Sequence, residues 1–181
     1  METSKYSGAA RTVAEALGQI VWLLTQSPGH RELPLKELER TFMPAVLAEQ
    51  FRVFRFGPLP GVDMSRVEVG GLSRETLEQL PLGVAIWGKL SAEAEAKVER
   101  GERLDPKEWS SGDRVWLLEL VSPFSTAANR LTEGMLLDLV QGPFRDVPFN
   151  LHRTDPASGR RERVRMASHL AGRTAAASAV N

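Results

Sequence analysis

Residues 82–90 constrain the fold more than any other stretch: the only charge is Lys89, and apolar side chains fall on both faces. A strand of that kind belongs in the interior of a sheet. The segments around it carry helical and strand signals without strict alternation, so the expected class is α+β around a single sheet. With 181 residues the chain is long enough for one domain with a substantial core.

The local punctuation is clear in several places. Thr12-Val13-Ala14-Glu15 fits a capping box, and Val13, Leu17, Ile20, Val21 and Leu24 then recur at helical spacing, predicting a helix over residues 12–24. Ser27-Pro28-Gly29 stops it, with His30 and Arg31 directly after. Pro34 suits the start of a second helix, and Pro44 either kinks that helix or starts another short one. Residues 51–56 read as a strand, followed by a loop with Gly57, Pro58, Pro60 and Gly61, a further strand over 67–69 and a short helix over 74–80. Ser91 caps a helix over 92–100, with Gly101 just past its end. Ser110-Ser111-Gly112-Asp113-Arg114 leads into a strand over 115–121, and a helix is expected over 125–141, stopped by Gly142-Pro143. Residues 149–154 and 161–166 flank Asp155-Pro156-Ala157-Ser158-Gly159 and predict a hairpin. The expected organisation is one domain over residues 1–170 and a disordered tail over 171–181.

Composition removes several function classes. Lys plus Arg number 23 and Asp plus Glu 23, so a globally basic nucleic-acid binder is disfavoured. The absence of cysteine excludes disulfides, thiolate zinc sites and a cysteine nucleophile, and the histidines have no metal-motif spacing, so no metal is expected. No apolar run approaches the ~20 residues of a spanning helix, and the N-terminal region lacks the pattern of a secretory signal, so a cytoplasmic setting without membrane insertion is expected. A Gly-x-Ser-x-Gly elbow, a Walker loop and a Gly-x-Gly-x-x-Gly loop are all missing from the sequence.

Among the three histidines, His30 sits in a Pro-Gly-bounded loop beside Arg31, where imidazole suits a general base at neutral pH. His152 and His169 read as exposed positions of the hairpin and its exit. Asp113 stands at the mouth of a predicted strand, either as a turn residue paired with Arg114 or as a functional carboxylate. Trp22, Trp87 and Trp116 are core candidates.

Three groups of residues then carry a resemblance: Leu17-Gly18-Gln19-Ile20-Val21-Trp22-Leu23 with Ser27-Pro28-Gly29-His30-Arg31 and Leu33-Pro34; Met43-Pro44-Ala45 with residues 81–87; and Trp109-Ser110-Ser111-Gly112-Asp113-Arg114-Val115-Trp116 with Pro123-Phe124. In this order, over residues 16–168, the chain resembles the toxin-activating lysine acyltransferases. That resemblance implies a GNAT-like acyltransferase fold with helices flanking a mixed or antiparallel sheet. It also implies transfer of a fatty acyl group from acyl carrier protein to internal lysines of a repeat-in-toxin (RTX) protoxin, with no cofactor beyond the acyl donor. The family's essential histidine falls on His30 and its essential aspartate on Asp113. Thr41 stands where relatives often place an asparagine, keeping one hydroxyl donor in place of an amide. Ser27, Arg31 and Arg114 are then candidates for substrate binding.

The chemistry fits such an assignment. A substrate lysine, with a pKa near ~10.4, is almost wholly ammonium at neutral pH and needs a base before it attacks a thioester. His30 can take that proton, Asp113 can orient or charge the imidazole, and a loop amide or Thr41 can donate to the developing oxyanion. An acyl-His30 intermediate is the alternative route, and the residues leave both open. The Arg/Gln-x-x-Gly-x-Gly/Ala loop of coenzyme A-dependent GNAT enzymes is not found, which favours the carrier protein. Arg160, Arg161, Arg163 and Arg165 offer a basic docking face for that acidic partner. Two rivals remain at this point, a binding protein or chaperone for the toxin or carrier, and an acyl-coenzyme A-dependent enzyme for small substrates. A homodimer is left open.

Overall fold

In the computed structural model the described residues are 12–67, 69–155 and 158–167. The elements run α1 (Val13–Gln26), α2 (Leu35–Thr41), α3 (Met43–Leu47), β1 (Phe51–Arg55), α4 (Arg74–Leu77), β2 (Pro81–Leu90), α5 (Ala92–Glu99), β3 (Arg114–Val121), α6 (Leu131–Gln141), β4 (Phe149–Thr154) and β5 (Arg161–Met166). The five strands form one mixed sheet in the order β1-β2-β3-β4-β5. β1 and β2 are antiparallel, with Phe51 opposite Ile86 and Phe54 opposite Gly83. β3 and β4 are parallel from Val115/Phe149 to Leu117/Leu151, and β4 returns antiparallel into β5. The α+β class and the single sheet expected from the sequence are both present.

The chain divides into two compact units. The first comprises Met1–Ile86 and Glu119–Met135. Its α1 begins with the anticipated capping box: Glu15 N donates to Thr12 Oγ1 at 3.1 Å and Thr12 N to Glu15 Oε2 at 2.9 Å. Ile20 and Leu23 on the inward face are wholly buried, each worth roughly 1.5–3 kcal/mol of transfer free energy. Trp22 is half-buried and packs on Phe124, ring centroids 5.6 Å apart. Pro44 lies in the first turn of α3, so it starts a short helix. Gly83 is obligatory here, because a Cβ would stand 2.4 Å from Met135 Cε and 2.8 Å from the Val121 carbonyl.

The second unit comprises Trp87–Leu118 and Leu136–Asn181. Its core joins Leu90, Ala94, Val98 and the fully buried Trp116. Trp87 meets Phe144 edge-on at 5.2 Å, and Phe144 leans on Phe149 at 4.5 Å. Ser91 caps α5 by accepting from Ala94 N at 3.2 Å, and Gly101 follows with φ +73°.

Three expectations are corrected. Neither Val67 nor Val69 belongs to a strand: both are buried, Val67 directly after a 3-10 turn over Met64–Arg66. Their alternation marks inward packing without a ladder partner. The helix expected over 125–141 starts only at Leu131. Asn129 Oδ1 accepts from Thr126 N at 2.9 Å and Leu131 N at 3.0 Å, and Arg130 adopts φ +54°, which together hold residues 126–130 out of the helix. His152 is half-buried, edge-on to Trp116 at 5.1 Å, and burial, reinforced by the charges of Arg161 and Arg163, pushes its pKa down. His169 and the expected tail lie outside the described residues.

Candidate functional site

The His30 loop is built by the end of α1. Ser27 caps that helix, donating its amide to Leu24 O at 3.1 Å, and its own carbonyl accepts from His30 N at 2.9 Å and Arg31 N at 3.0 Å. His30 O in turn accepts from Leu33 N at 2.8 Å, so the imidazole stands on a closed turn. Ser27 Oγ lies 2.8 Å from His30 Nδ1, and Glu119 Oε1 lies 3.3 Å from His30 Nε2. The result is a Ser27–His30–Glu119 chain within the first unit.

Hydrogen bonding to Glu119 raises the His30 pKa above 6.5, assisted by attraction to the carboxylate charge and opposed by burial. The His30 side chain is 25% exposed and that of Glu119 is 40% exposed, so the pair is reachable from solvent. In the neutral ring, an Nε2–H donated to Glu119 leaves Nδ1 as the acceptor of the Ser27 hydroxyl. Such an imidazole can accept a proton at Nδ1 while Glu119 stabilises the cation.

Sequence reasoning missed Glu119. The available signal was its position: it is the only charged side chain among residues 115–121 of an otherwise apolar strand. A charge in such a place calls for a partner.

Asp113 belongs to the second unit, at the entrance to β3. Gly112 donates its amide to Lys89 O at 3.0 Å, and a Cβ on Gly112 would stand 2.5 Å from Leu90 O. Ser111 Oγ donates to Glu108 O at 2.7 Å and accepts from Ser91 N at 2.9 Å. This tight turn presents Asp113 with its side chain 97% exposed, 4.0 Å from Arg114 Nη1. Arg114 itself pairs through Nε with Glu95 at 3.1 Å. Arg31 is exposed and pairs with Glu32 at 3.6 Å. The Thr41 hydroxyl donates to Glu37 O at 2.6 Å, which commits its one proton to its own helix. The arginine group divides: Arg160 lies in the hairpin turn, whereas Arg161, Arg163 and Arg165 alternate along β5, opposite Thr154, His152 and Asn150. Among the described residues, no cluster of His, Asp and Glu is placed to hold a metal ion, and no helix is long and apolar enough to cross a membrane.

The sequence profile of the RTX toxin acyltransferase family matches residues 9–61 and 74–168. A leukotoxin-activating lysine-acyltransferase of Pasteurella haemolytica-like sp. (strain 5943B) is 32% identical over 109 residues, 60% of this chain and 53% of the relative. An RTX-II toxin-activating lysine-acyltransferase of Actinobacillus pleuropneumoniae is 28% identical over 113 residues, 62% of this chain and 58% of the relative. A protein-lysine myristoyltransferase of Escherichia coli is 27% identical over 143 residues, 78% of this chain and 68% of the relative. The chain thus spans little more than half the length of the first two relatives.

Proposed function

Since the chain belongs to the RTX toxin acyltransferase family, we propose that it is a protein-lysine acyltransferase that activates an RTX protoxin in the cytoplasm, with acyl carrier protein as donor. The observation that carries this reading is the Ser27–His30–Glu119 chain, a polarised imidazole on a solvent-accessible turn. The substrate lysine loses its proton to His30, and Nζ then bonds to the thioester carbonyl carbon. The carbon–sulfur bond breaks, the thiolate recovers that proton from the imidazolium, and Nζ releases a second ammonium proton to solvent, leaving a neutral amide and a free thiol. Glu119 holds the ring and supports its charge, the part a carboxylate plays beside a catalytic histidine. Asp113 and Arg114 act on the donor or substrate from the turn at the head of β3. A mixed five-stranded sheet in which β3 and β4 run parallel supports a GNAT-like fold.

The test is co-expression with acyl carrier protein and an RTX protoxin, with the protoxin lysines read by mass spectrometry. An acyl mass shift is expected with the wild-type chain and none with a folded His30→Ala variant. Full transfer by that variant would remove His30 from the chemistry, and an unshifted protoxin with the wild-type chain would overturn the function.

A further inference from the structure

The second unit holds a cavity of about 360 Å³ whose lining includes Glu95, Asp113, Arg114, Asn150, Arg163 and Arg165. Glu95, in the first turn of α5, organises it. Its Oε1 accepts from Trp116 Nε1 at 2.9 Å, from Asn150 Nδ2 at 3.2 Å and from Arg163 Nη2 at 3.5 Å, while Oε2 faces Arg114 Nε at 3.1 Å. The Glu95 side chain is only 15% exposed. One shielded carboxylate therefore fixes two guanidinium groups. Arg163 is held further by Asn150 Oδ1 at 3.3 Å, by Glu99 and by the Trp116 ring 5.5 Å beneath it.

Arg165 is different. It shares the β5 face with Arg163, opposite Asn150, and among the described residues no carboxylate pairs with it. Arg114 and Arg163 are already paired, with Glu95 and Glu99, so Arg165 is the cation of the lining left to meet an incoming anion such as a phosphodiester. A flat carboxylate ligand is satisfied by a single guanidinium fork, whereas separate arginines around a cavity suit a tetrahedral anion. The sequence offers no glycine-rich phosphate loop, so any phosphate on a donor has to be met by side chains such as these.

We propose that this cavity binds the phosphate of a phosphopantetheine arm carrying the acyl thioester, with Arg165 as the incoming contact and Arg114 and Arg163 preset by Glu95. This rests on the reading that the acyl group arrives as a thioester of that arm, and it gives the exposed Asp113–Arg114 turn a location at the rim of the donor site. The same phosphate occurs on a carrier protein and in coenzyme A, so both are tested.

Binding is measured by calorimetry on the full chain, independent of any transfer. 4′-Phosphopantetheine should bind at least about tenfold tighter than pantetheine, the effect of one charge-assisted contact. Arg165→Met should bring the two to within about twofold, and Arg165→Lys should keep most of the difference. Arg165 is exposed and, among the described residues, pairs with no carboxylate, so neither variant removes a packed or paired group. A holo carrier protein binding tighter than its apo form, with the gain lost in Arg165→Met, supports the site with the carrier as source. A gain seen with coenzyme A against its dephosphorylated pantetheine part, but not between holo and apo carrier, supports the site with coenzyme A as source. Equal binding of phosphopantetheine and pantetheine would overturn the proposal. So would an Arg165→Met variant that weakens holo and apo carrier equally, since the arginine would then be part of a general docking face.

Discussion

Replacing Glu119 by glutamine isolates what its charge does for His30. The amide keeps the size of the carboxylate and can still accept from Nε2–H, so only the charge is lost. Glu119 is the source of both influences that raise the His30 pKa, and burial is the one that opposes them. The variant should therefore titrate His30 at lower pH than the wild type. A base must be neutral to accept a proton, so the acidic limb of the pH–rate profile should move to lower pH by the same displacement. On the alkaline plateau of the profile, where both rings are neutral, turnover should fall about 10- to 100-fold because the imidazolium formed in the reaction loses its counter-charge. The stability effect has a definite sign. A histidine whose pKa is raised by folding contributes stability that is fully present below the unfolded value near ~6.5 and lost as pH rises through the folded value. The side chains are 25% and 40% exposed, which limits the pair to about 1 kcal/mol or less after solvent screening. Thermal melts should thus separate wild type and variant by up to ~4 °C at pH 5 and coincide above the wild-type His30 titration. The His30 ring is followed by NMR titration, the rate by mass spectrometry of acylated lysine. An unmoved titration, or a moved titration with the wild-type rate on the alkaline plateau, would refute the role given to Glu119.

Gly112→Ala places a methyl 2.5 Å from the Leu90 carbonyl, and chemical denaturation should show a loss of about 1–3 kcal/mol from the strain. Asp113→Asn should leave both the melting temperature and the His30 titration where they are while lowering turnover; a shifted titration would make Asp113 a partner of the imidazole after all. Ser27→Ala removes the hydroxyl 2.8 Å from Nδ1, which should cost about 0.5–1.5 kcal/mol and change the ¹⁵N shift of Nδ1.

The elements legible in the sequence were those with local chemical punctuation. Thr12 and Glu15, Ser91 with Gly101, and the turn residues between 154 and 161 each carry their instruction within a few residues; the structure shows both caps and pairs the strands that flank the turn. Residues 82–90 declared an interior strand because every inward and outward position is apolar up to Lys89, and all of β2 except Lys89 is buried. Where the reading failed, the deciding interaction was either a side chain acting on backbone or a partner distant in sequence. The start of α6 is set by the Asn129 amide, which composition alone does not separate from a helical asparagine. The site was legible in part: His30 and its turn follow from Pro28 and Gly29, whereas Glu119 is 89 positions away and meets the imidazole only through the fold. The four arginines likewise read as one patch, whereas in the fold Arg160 precedes β5 and, of the three that share a face of the strand, Arg163 and Arg165 line the cavity.

The tautomer set by Glu119 bears on how the acyl group would move in the proposed reaction. With Nε2–H directed at the carboxylate, the lone pair available for chemistry is on Nδ1, flanked by the Cβ of His30 and covered by the Ser27 hydroxyl. Acylation of Nδ1 would require that hydroxyl to leave and a carbonyl carbon to enter the crowded side of the ring. Proton transfer asks for less, because a proton can pass to Nδ1 through Ser27 Oγ with the hydrogen bonds already in place. The two routes respond oppositely to Ser27→Ala. A base that works through the hydroxyl loses its relay, so turnover should drop with no acyl-enzyme detected. A nucleophilic Nδ1 gains access, so an acyl-His30 adduct should accumulate on mixing the variant with acyl donor in the absence of protoxin. The intact mass of the protein after that mixing decides between them, and the geometry favours an unshifted mass.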